Sequence, residues 1–349
     1  MDEVDLLQGL VGIYSPTGQT EKVTQYLIKS AERLGLKTTV DAAQNIRMSG
    51  GSGPKHLMFL CHTDTVPGEL KVHQEGPFLH GRGAVDAKGC LACAMLVASR
   101  FRESTKGKVE VVAVVDEEGP SKGVREILKG DKAHLIIVGE PSGWDAITIG
   151  YKGALRLKAH MKTPKNHSGL MSQNSAEACI ELWSTLEAYC VQESESAGGH
   201  GVFEMVSPTL LSINSSDDGV NMTTDMVIDV RFPPGFDVEK FRAFIDMNRS
   251  GIVIEYTEEE PAVVVEKNNE LVKAMLWAIR RQEGEPSFKK KTGTADMNIT
   301  AATWKDVPII AYGPGDSSLD HTPEERIDVR EYRQAIEVLK DAVERILSG

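Results

Sequence analysis

Two short segments carry the residue types that metal chemistry requires. His62 and Asp64 follow residues 57–61 (LMFLC), an apolar run that predicts a buried strand. Side chains two apart on an extended backbone point the same way, so Asp64 can reach the His62 ring. A metal-binding imidazole usually has such a carboxylate beside it. Asp86 follows a Gly-x-Gly turn and opens a helix of small residues. Singly, each residue would also fit a buried histidine or a solvated carboxylate, but the ordered set favours a metal site.

Length and composition indicate a two-domain globular protein. The chain has 349 residues, and a chain of this length usually forms more than one domain, each with its own hydrophobic core. Its net charge of −12 argues against nucleic-acid or anionic-membrane binding. The acidic N-terminus lacks the features of a signal peptide, and no apolar run approaches the roughly 18 residues of a membrane span. We therefore expect a cytoplasmic location.

The five cysteines do not predict a disulfide framework. Cys90 and Cys93 form a CxxC pair, a spacing found in redox and zinc sites. No second CxxC completes a zinc site, and the pair lies within the small-residue helix after Asp86. We expect both thiols to pack in the core as small hydrophobic groups.

Alternating strands and helices predict an α/β fold with a mixed, largely parallel sheet. Predicted strands at residues 57–61, 108–115 and 133–138 are separated by helices. Ligands collect at the carboxyl ends of strands in such sheets. Four polar residues follow these strand ends, namely His62, Glu117, Glu118 and Glu140. Their shared position supports a site more than any single motif does.

A second domain is predicted within the first. Residues 153–257 have the order strand, helix, strand, strand, helix, strand, which is the ferredoxin-like βαββαβ pattern. Residues 1–152 and 258–349 would then form the first domain. Residues 193–201, rich in Ser, Gly and Glu, predict a mobile loop with a solvated His200.

Five motifs resemble those of one enzyme family. They are residues 62–67 (HTDTVP), 81–89 (GRGAVDAKG), 116–119 (DEEG), 139–141 (GEP) and a late His321. In this order they resemble the acetylornithine deacetylase/succinyl-diaminopimelate desuccinylase family of two-zinc amidohydrolases. The resemblance covers essentially the whole chain and implies that the inserted domain mediates homodimer formation.

The resemblance also implies a complete set of metal ligands. Asp86 would bridge two Zn²⁺ or Co²⁺ ions. His62 and Glu140 would complete the ligands of one ion, and Glu118 and His321 those of the other. Carboxylate and imidazole ligands suit these metals, and two such ions can polarise an amide carbonyl.

Two further residues receive catalytic roles from the resemblance. Glu117 would be the general base, and Asp64 would orient His62. The family usually has Ala-His before its last motif, whereas this chain has Asp320 before His321, so Asp320 is a rival ligand.

The inserted domain is expected to supply substrate contacts. Residues 166–169 (NHSG) match the place where the family carries a histidine that crosses the dimer to stabilise the oxyanion, here His167. Arg231 resembles a family arginine that holds a substrate carboxylate, and Asn221 is expected in the same pocket. Thr294 lies in a segment that resembles a substrate-binding loop.

Within the family, the chain is most similar to a branch that acts on carrier-bound amino acids. That branch releases lysine or ornithine from the C-terminal glutamate of a small acidic amino-group carrier protein, in lysine and arginine biosynthesis. The basic run at residues 289–291 (KKK) is a candidate contact for such a carrier. The alternatives are hydrolysis of a free N-acyl amino acid, such as N-acetylornithine or succinyl-diaminopimelate, and a non-catalytic dimeric binding module on the same fold.

Overall fold

The computed structural model describes residues 2–167, 172–198 and 201–348. The chain divides into two compact units. Unit 1 comprises residues 1–150, 265–290 and 295–349, and unit 2 comprises residues 151–264 and 291–294. The sequence-based boundaries differ most at the return to the first unit, which was predicted at residue 258. His200 and residues 168–169 of the predicted dimer motif lie outside the described residues.

The secondary structure elements are numbered in chain order. The helices are α1 Glu3–Val11, α2 Glu21–Arg33, α3 Lys88–Arg100, α4 Lys122–Ile127, α5 Ser175–Ser196, α6 Val238–Asn248, α7 Glu270–Arg281, α8 Asp296–Thr303 and α9 Val329–Ser348. The strands are β1 Lys37–Val40, β2 Ile46–Ser52, β3 Lys55–His62, β4 His73–Glu75, β5 Phe78–His80, β6 Gly107–Val114, β7 Leu135–Val138, β8 Ala146–Tyr151, β9 Gly153–Pro164, β10 Ser207–Asp217, β11 Asn221–Phe232, β12 Val253–Glu260, β13 Val263–Val264, β14 Ser287–Lys291, β15 Ile309–Ala311 and β16 Arg326–Asp328.

The central sheet of unit 1 has a parallel centre and antiparallel flanks. Its order is β1-β2-β6-β3-β7-β15-β8. Strand β3 runs parallel to both β6 and β7, and β15 runs parallel to β7. Strands β2 and β8 are antiparallel to their neighbours β6 and β15. The parallel strands are apolar and buried along nearly their whole length, as expected for strands covered on both faces. The predicted mixed, largely parallel α/β sheet is confirmed.

Helix α3 lies in the centre of the unit 1 core. Every residue from Lys88 to Ser99 is buried, because the small side chains let other elements approach from all sides. Cys90 and Cys93 are among them, and burial raises the pKa of the Cys93 thiol well above its ordinary value. The predicted packing role of the CxxC pair is confirmed.

Unit 2 has the βαββαβ order that the sequence predicts. Its elements are β9, α5, β10, β11, α6 and β12, and its antiparallel sheet has the order β10-β11-β9-β12. This is the ferredoxin-like arrangement. Helix α5 begins with a capping box in which Asn174 and Glu177 satisfy each other's backbone N–H groups. A separate hydrophobic core lies between the sheet and the two helices.

Several local predictions were wrong. Helix α5 continues to Ser196, so residues 193–198 of the predicted mobile loop at residues 193–201 are helix or turn. The sequence analysis missed two elements, the buried strand β8 and the helix α8, which begins at Asp296.

In the part of the chain that the structure describes, no helix is both long and apolar enough to cross a membrane.

A buried carboxylate links three strands of the central sheet. Glu110 on β6 accepts hydrogen bonds from Arg47 Nη2 at 3.0 Å and Lys108 Nζ at 2.9 Å, and its Oε2 lies 2.8 Å from His56 Nε2. Burial raises the pKa of Glu110, but the hydrogen bonds from His56, Arg47 and Lys108 outweigh it and lower the pKa to about 2.

We expect Glu110→Gln to destabilise the protein at pH 7 by about 3 kcal/mol, the free energy that corresponds to this shift. A lowered folded-state pKa stabilises the protein above the unfolded pKa near 4.5, and the stabilisation disappears as the pH falls towards 2. Urea unfolding at pH 7 and pH 3 should therefore show a difference between wild type and variant that shrinks at pH 3. Glu103→Gln, at a side chain that is 89% exposed, is the control. A pH-independent difference would contradict the assignment.

Candidate metal centre

Three parallel strands deliver ligands to one edge of the central sheet. His62 is the last residue of β3, and Glu140 follows β7 by two residues. Glu118 comes shortly after β6, beyond Asp116, which adopts a left-handed conformation with φ 60° and turns the chain. The carboxyl ends of parallel strands meet at the same edge, so the three side chains converge there. Asp86 and His321 reach the same place from loops.

The Asp86 carboxylate lies between two imidazoles. Its Oδ1 is 3.0 Å from His62 Nε2, and its Oδ2 is 3.0 Å from His321 Nε2. His62 Nε2 also lies 3.8 Å from Glu140 Oε1, and His321 Nε2 lies 3.0 Å from Glu118 Oε1. The structure thus brings together all five predicted ligands as two groups that share Asp86.

The donor set fits two transition-metal ions. Ligand atoms held near 2.1 Å from a tetrahedral ion lie roughly 3 to 3.5 Å apart, close to the separations observed here. When ionised, Asp86, Glu117, Glu118 and Glu140 carry four negative charges, which two dications would balance. Imidazole and carboxylate donors together favour zinc-like ions over Mg²⁺ or Ca²⁺.

The electrostatics of the site strongly favour positive charge. Burial lowers the pKa of His62, but its hydrogen bond with Asp86 and the charges of Glu117, Asp86 and Glu140 raise the pKa well above its ordinary value. Hydrogen bonds to Asp86 and Glu118 raise the pKa of His321 to about 10. The negative charge gathered here thus favours cations at the site, as metal binding requires.

Asp64 connects two parts of the site. Its main-chain carbonyl lies 2.8 Å from His62 Nδ1 and accepts that hydrogen bond, whereas its Oδ1 is 3.9 Å from the same atom. The carboxylate instead accepts hydrogen bonds from Thr17 Oγ1 and from the backbone N–H groups of Glu117 and Glu118. The sequence argument assigned this contact to the Asp64 carboxylate, whereas the main-chain carbonyl makes it.

The sequence analysis missed Glu325, which holds the Asp86 loop in place. This buried carboxylate accepts hydrogen bonds from Arg82 Nη1 at 2.8 Å and from the backbone N–H groups of Val85 and Asp86 at 3.1 and 3.2 Å. The loop also requires Gly83, whose φ is 82° and where a Cβ would lie 2.8 Å from Thr65 Cγ2. The charge match between Arg82 and Glu325 was the available signal, but the two are 243 positions apart.

Glu117 is half-buried among other acidic groups. Burial raises its pKa well above the ordinary value, and the carboxylates of Glu140, Asp296 and Glu118 add to the rise against the opposing charge of His62. Asp296, at the start of α8, is the last residue of the segment that resembles a substrate-binding loop, but no charge effect on Glu117 was predicted for it. Its buried carboxylate acts on Glu117 through charge.

Two of the predicted substrate-binding residues meet in unit 2. Arg231 Nη1 donates a hydrogen bond to Thr294 Oγ1 at 3.1 Å, and its Nε donates to Asp229 Oδ2 at 2.7 Å. Asp229 also accepts a hydrogen bond from Arg156. The guanidinium is therefore held in one orientation, as a bidentate carboxylate site requires.

Asn221 does not share a pocket with Arg231 of the same chain. The two residues lie near opposite ends of β11, ten residues and about 33 Å apart. Asn221 instead pairs with Pro164 at the end of β9, from which the chain leads to the exposed His167. The predicted common pocket of Asn221 and Arg231 was wrong within one chain.

Comparisons with known proteins give a consistent family assignment. The sequence pattern of peptidase family M20/M25/M40 matches residues 58–345. A LysW-lysine hydrolase of Deinococcus radiodurans is 37% identical over 99% of this chain and 97% of its own length. A LysW-lysine/LysW-ornithine hydrolase of Sulfurisphaera tokodaii is 31% identical over 98% of this chain and 95% of its own length.

Solved structures show the same fold. An M20 family metallo-carboxypeptidase from Sulfolobus solfataricus superposes with a TM-score of 0.81 and 18% identity, covering 100% of both chains. At this identity the likeness concerns the fold alone.

We expect the number of metal ions bound per chain to show that Asp86 is a ligand in both groups. Asp86→Ala should retain less than one ion per chain, because it removes a ligand from both groups. His321→Ala should retain one, because His62 is buried with its group whereas the His321 side chain is 51% exposed. Elemental analysis after dialysis measures this, with Glu117→Gln as a control that should keep two. Equal metal loss in all three variants would refute the division of ligands.

Proposed function

Because the chain belongs to peptidase family M20/M25/M40, we propose that it hydrolyses the amide by which lysine or ornithine is joined to the C-terminal glutamate of an amino-group carrier protein. The chain is a hydrolase that acts on amide bonds. The observation that carries the proposal is the Asp86 carboxylate between two imidazoles, in a chain that aligns over nearly its full length with LysW-lysine hydrolases.

We assign the metal pair to Zn²⁺ or Co²⁺. His62, Asp86 and Glu140 would hold one ion, and Asp86, Glu118 and His321 the other. The two ions supply polarisation of the scissile carbonyl and a water of lowered pKa. All remaining steps fall to side chains of this protein.

Glu117 is the proposed general base. It is adjacent in the chain to Glu118, whose Oε1 faces His321, and its own carboxylate lies among the charges of the site. It takes a proton from the attacking water and returns that proton to the nitrogen of the leaving lysine or ornithine. The products are the carboxylate of the carrier and the released amine. Asp64 keeps Glu117 in position by accepting its backbone N–H.

Unit 2 is proposed to recognise the amino-acid part of the substrate. The ordered guanidinium of Arg231 suits the α-carboxylate of lysine or ornithine, and Thr294 beside it limits where that carboxylate can sit. We propose that the reaction takes place in the cytoplasm, because the proposed substrate belongs to amino-acid biosynthesis.

An acidic carrier must overcome long-range repulsion from a chain of net charge −12. The run at residues 289–291 does not form one continuous basic patch. It lies in β14, where successive side chains point to opposite faces, and Lys289 Nζ donates to the carbonyl of Ser142 at 2.6 Å. Lys289 and Lys291 therefore share one face of β14, and Lys290 lies on the other.

The decisive test compares substrates on the same enzyme. We expect kcat/KM for carrier-linked lysine or ornithine to exceed that for N-acetyl-lysine, N-acetylornithine and succinyl-diaminopimelate by at least about tenfold, because remote contacts to the carrier contribute binding energy. Mass spectrometry of released amino acid measures the rates. Glu117→Gln should lose turnover by about 10² to 10⁴ on every substrate. Preference for a free N-acyl amino acid would replace the carrier proposal, and absence of hydrolysis would favour a binding module.

We propose a homodimer formed through unit 2. Strand β10 is an edge strand of the unit 2 sheet, and its Leu211 and Ile213 are exposed, as are Ile180 and Val191 on α5. Exposed apolar groups beside an unpaired strand edge mark a surface that pairing would cover. In such a dimer, His167 of one chain would act in the site of its partner.

Subunit mixing tests this arrangement. His167→Ala and Glu117→Gln proteins are each expected to be nearly inactive, whereas a mixture that has exchanged subunits should recover activity. A mixed dimer contains one site with both intact residues. Light scattering and native mass spectrometry verify the exchange, and two His167→Ala preparations mixed together serve as the control. Demonstrated exchange without recovery would place His167 outside the partner's site.

A further inference from the structure

A second cluster of side chains of the types that bind metals lies on the hairpin of β4 and β5, separate from the ligands around Asp86. His73 and His80 pair directly across the two strands, so their side chains lie on one face. Glu75, two residues after His73, lies on the same face. The ligand atoms of the three residues lie within 4.8 Å of one another. His80 Nε2 is 3.9 Å from Glu75 Oε2, and the imidazole rings stack with centroids 4.4 Å apart.

The hydrogen bonding of His73 prepares it for a metal. Its Nδ1 lies 3.1 Å from the main-chain carbonyl of Lys71. A carbonyl can only accept, so Nδ1 carries the proton and Nε2 presents a lone pair, which is the usual arrangement of a metal-binding histidine.

We propose that His73, Glu75 and His80 bind a third divalent transition-metal ion. Two imidazoles and one carboxylate select Zn²⁺, Co²⁺, Ni²⁺ or Cu²⁺ over Mg²⁺ and Ca²⁺. His73 and Glu75 are exposed, so both side chains can adjust around an ion and water can fill its remaining positions. The resulting site is open and exchangeable, in contrast to the buried His62 group.

The position of the hairpin gives this ion a structural consequence. Strand β5 also pairs with β16, with His80 opposite Arg326, and Glu325 directly precedes β16. The chain runs from His80 straight into the loop that carries Asp86, which Glu325 holds by its backbone. An ion on the hairpin would cross-link β4 to β5 beside that loop.

Metal counting on the intact enzyme tests the proposal without measuring hydrolysis. Protein without an affinity tag is loaded with Zn²⁺, freed of excess and dialysed against graded Ni²⁺, and both metals are quantified. Wild type should bind one ion beyond the first two. His73→Gln should weaken that additional binding by on the order of a hundredfold or more. Removing a ligand should cost at least as much metal affinity as removing a residue that only hydrogen-bonds to a ligand.

His160→Gln is the matched control. His160 is also an exposed imidazole beside a carboxylate, with Nδ1 2.8 Å from Asp225 Oδ1, but the described residues place no third ligand beside it. It should bind Ni²⁺ as wild type does. His80→Gln, on the opposite strand, should reproduce the loss seen with His73→Gln. Wild type that binds no further ion, or equal binding by wild type and His73→Gln, would overturn the third site.

Discussion

The structure depends on one carboxylate placed between two imidazoles. Asp86 lies within 3.0 Å of both His62 and His321, in a pocket that also contains several glutamates. Gathering negative charges away from water is costly unless cations offset them. The nearby carboxylates raise the pKa values of His62 and His321, which shows that the site favours positive charge. Two metal ions held by these ligands would balance the same negative charge and would supply Lewis acidity for amide hydrolysis.

The framework around Asp86 combines rigid strand ends with loops that need support. His62 and Glu140 are positioned by adjacent parallel strands, which fix where the chain leaves the sheet. Asp86 and His321 have no such support. Glu325 compensates by binding the backbone of Asp86 and the side chain of Arg82, so the loop before α3 is fixed to the segment before β16. The carboxylate of Asp64 does the same for the turn that carries Glu117.

Two of the predicted substrate-binding residues of unit 2, Asn221 and Arg231, lie near opposite ends of one strand, β11. Arg231 and Thr294 meet near the end of β11, whereas Asn221 lies at its start. An extended strand of this length cannot bend its two ends into one pocket. Residues at the two ends of β11 therefore cannot contact the same small molecule within one chain.

The sequence by itself determined the chemistry and much of the fold. Apolar runs followed closely by His62, Glu118 and Glu140 predicted parallel strands with ligands at their ends, because strand burial and side-chain alternation are local properties. Only the tertiary structure decided which atoms meet. It assigned the His62 contact to the Asp64 carbonyl, revealed Glu325, brought the charge of Asp296 to Glu117, and separated Asn221 from Arg231.

The physical reason lies in the range of the interactions. A helical or extended pattern repeats within a few residues and can be recognised along the chain. The contact between Arg82 and Glu325 joins residues 243 positions apart, and no local periodicity encodes it. The hairpin ligands His73 and His80 are closer in sequence, yet their meeting depends on the register of β4 and β5, which pairing with β16 helps to fix. Local sequence therefore determined which side chains were available, and folding determined which of them act together.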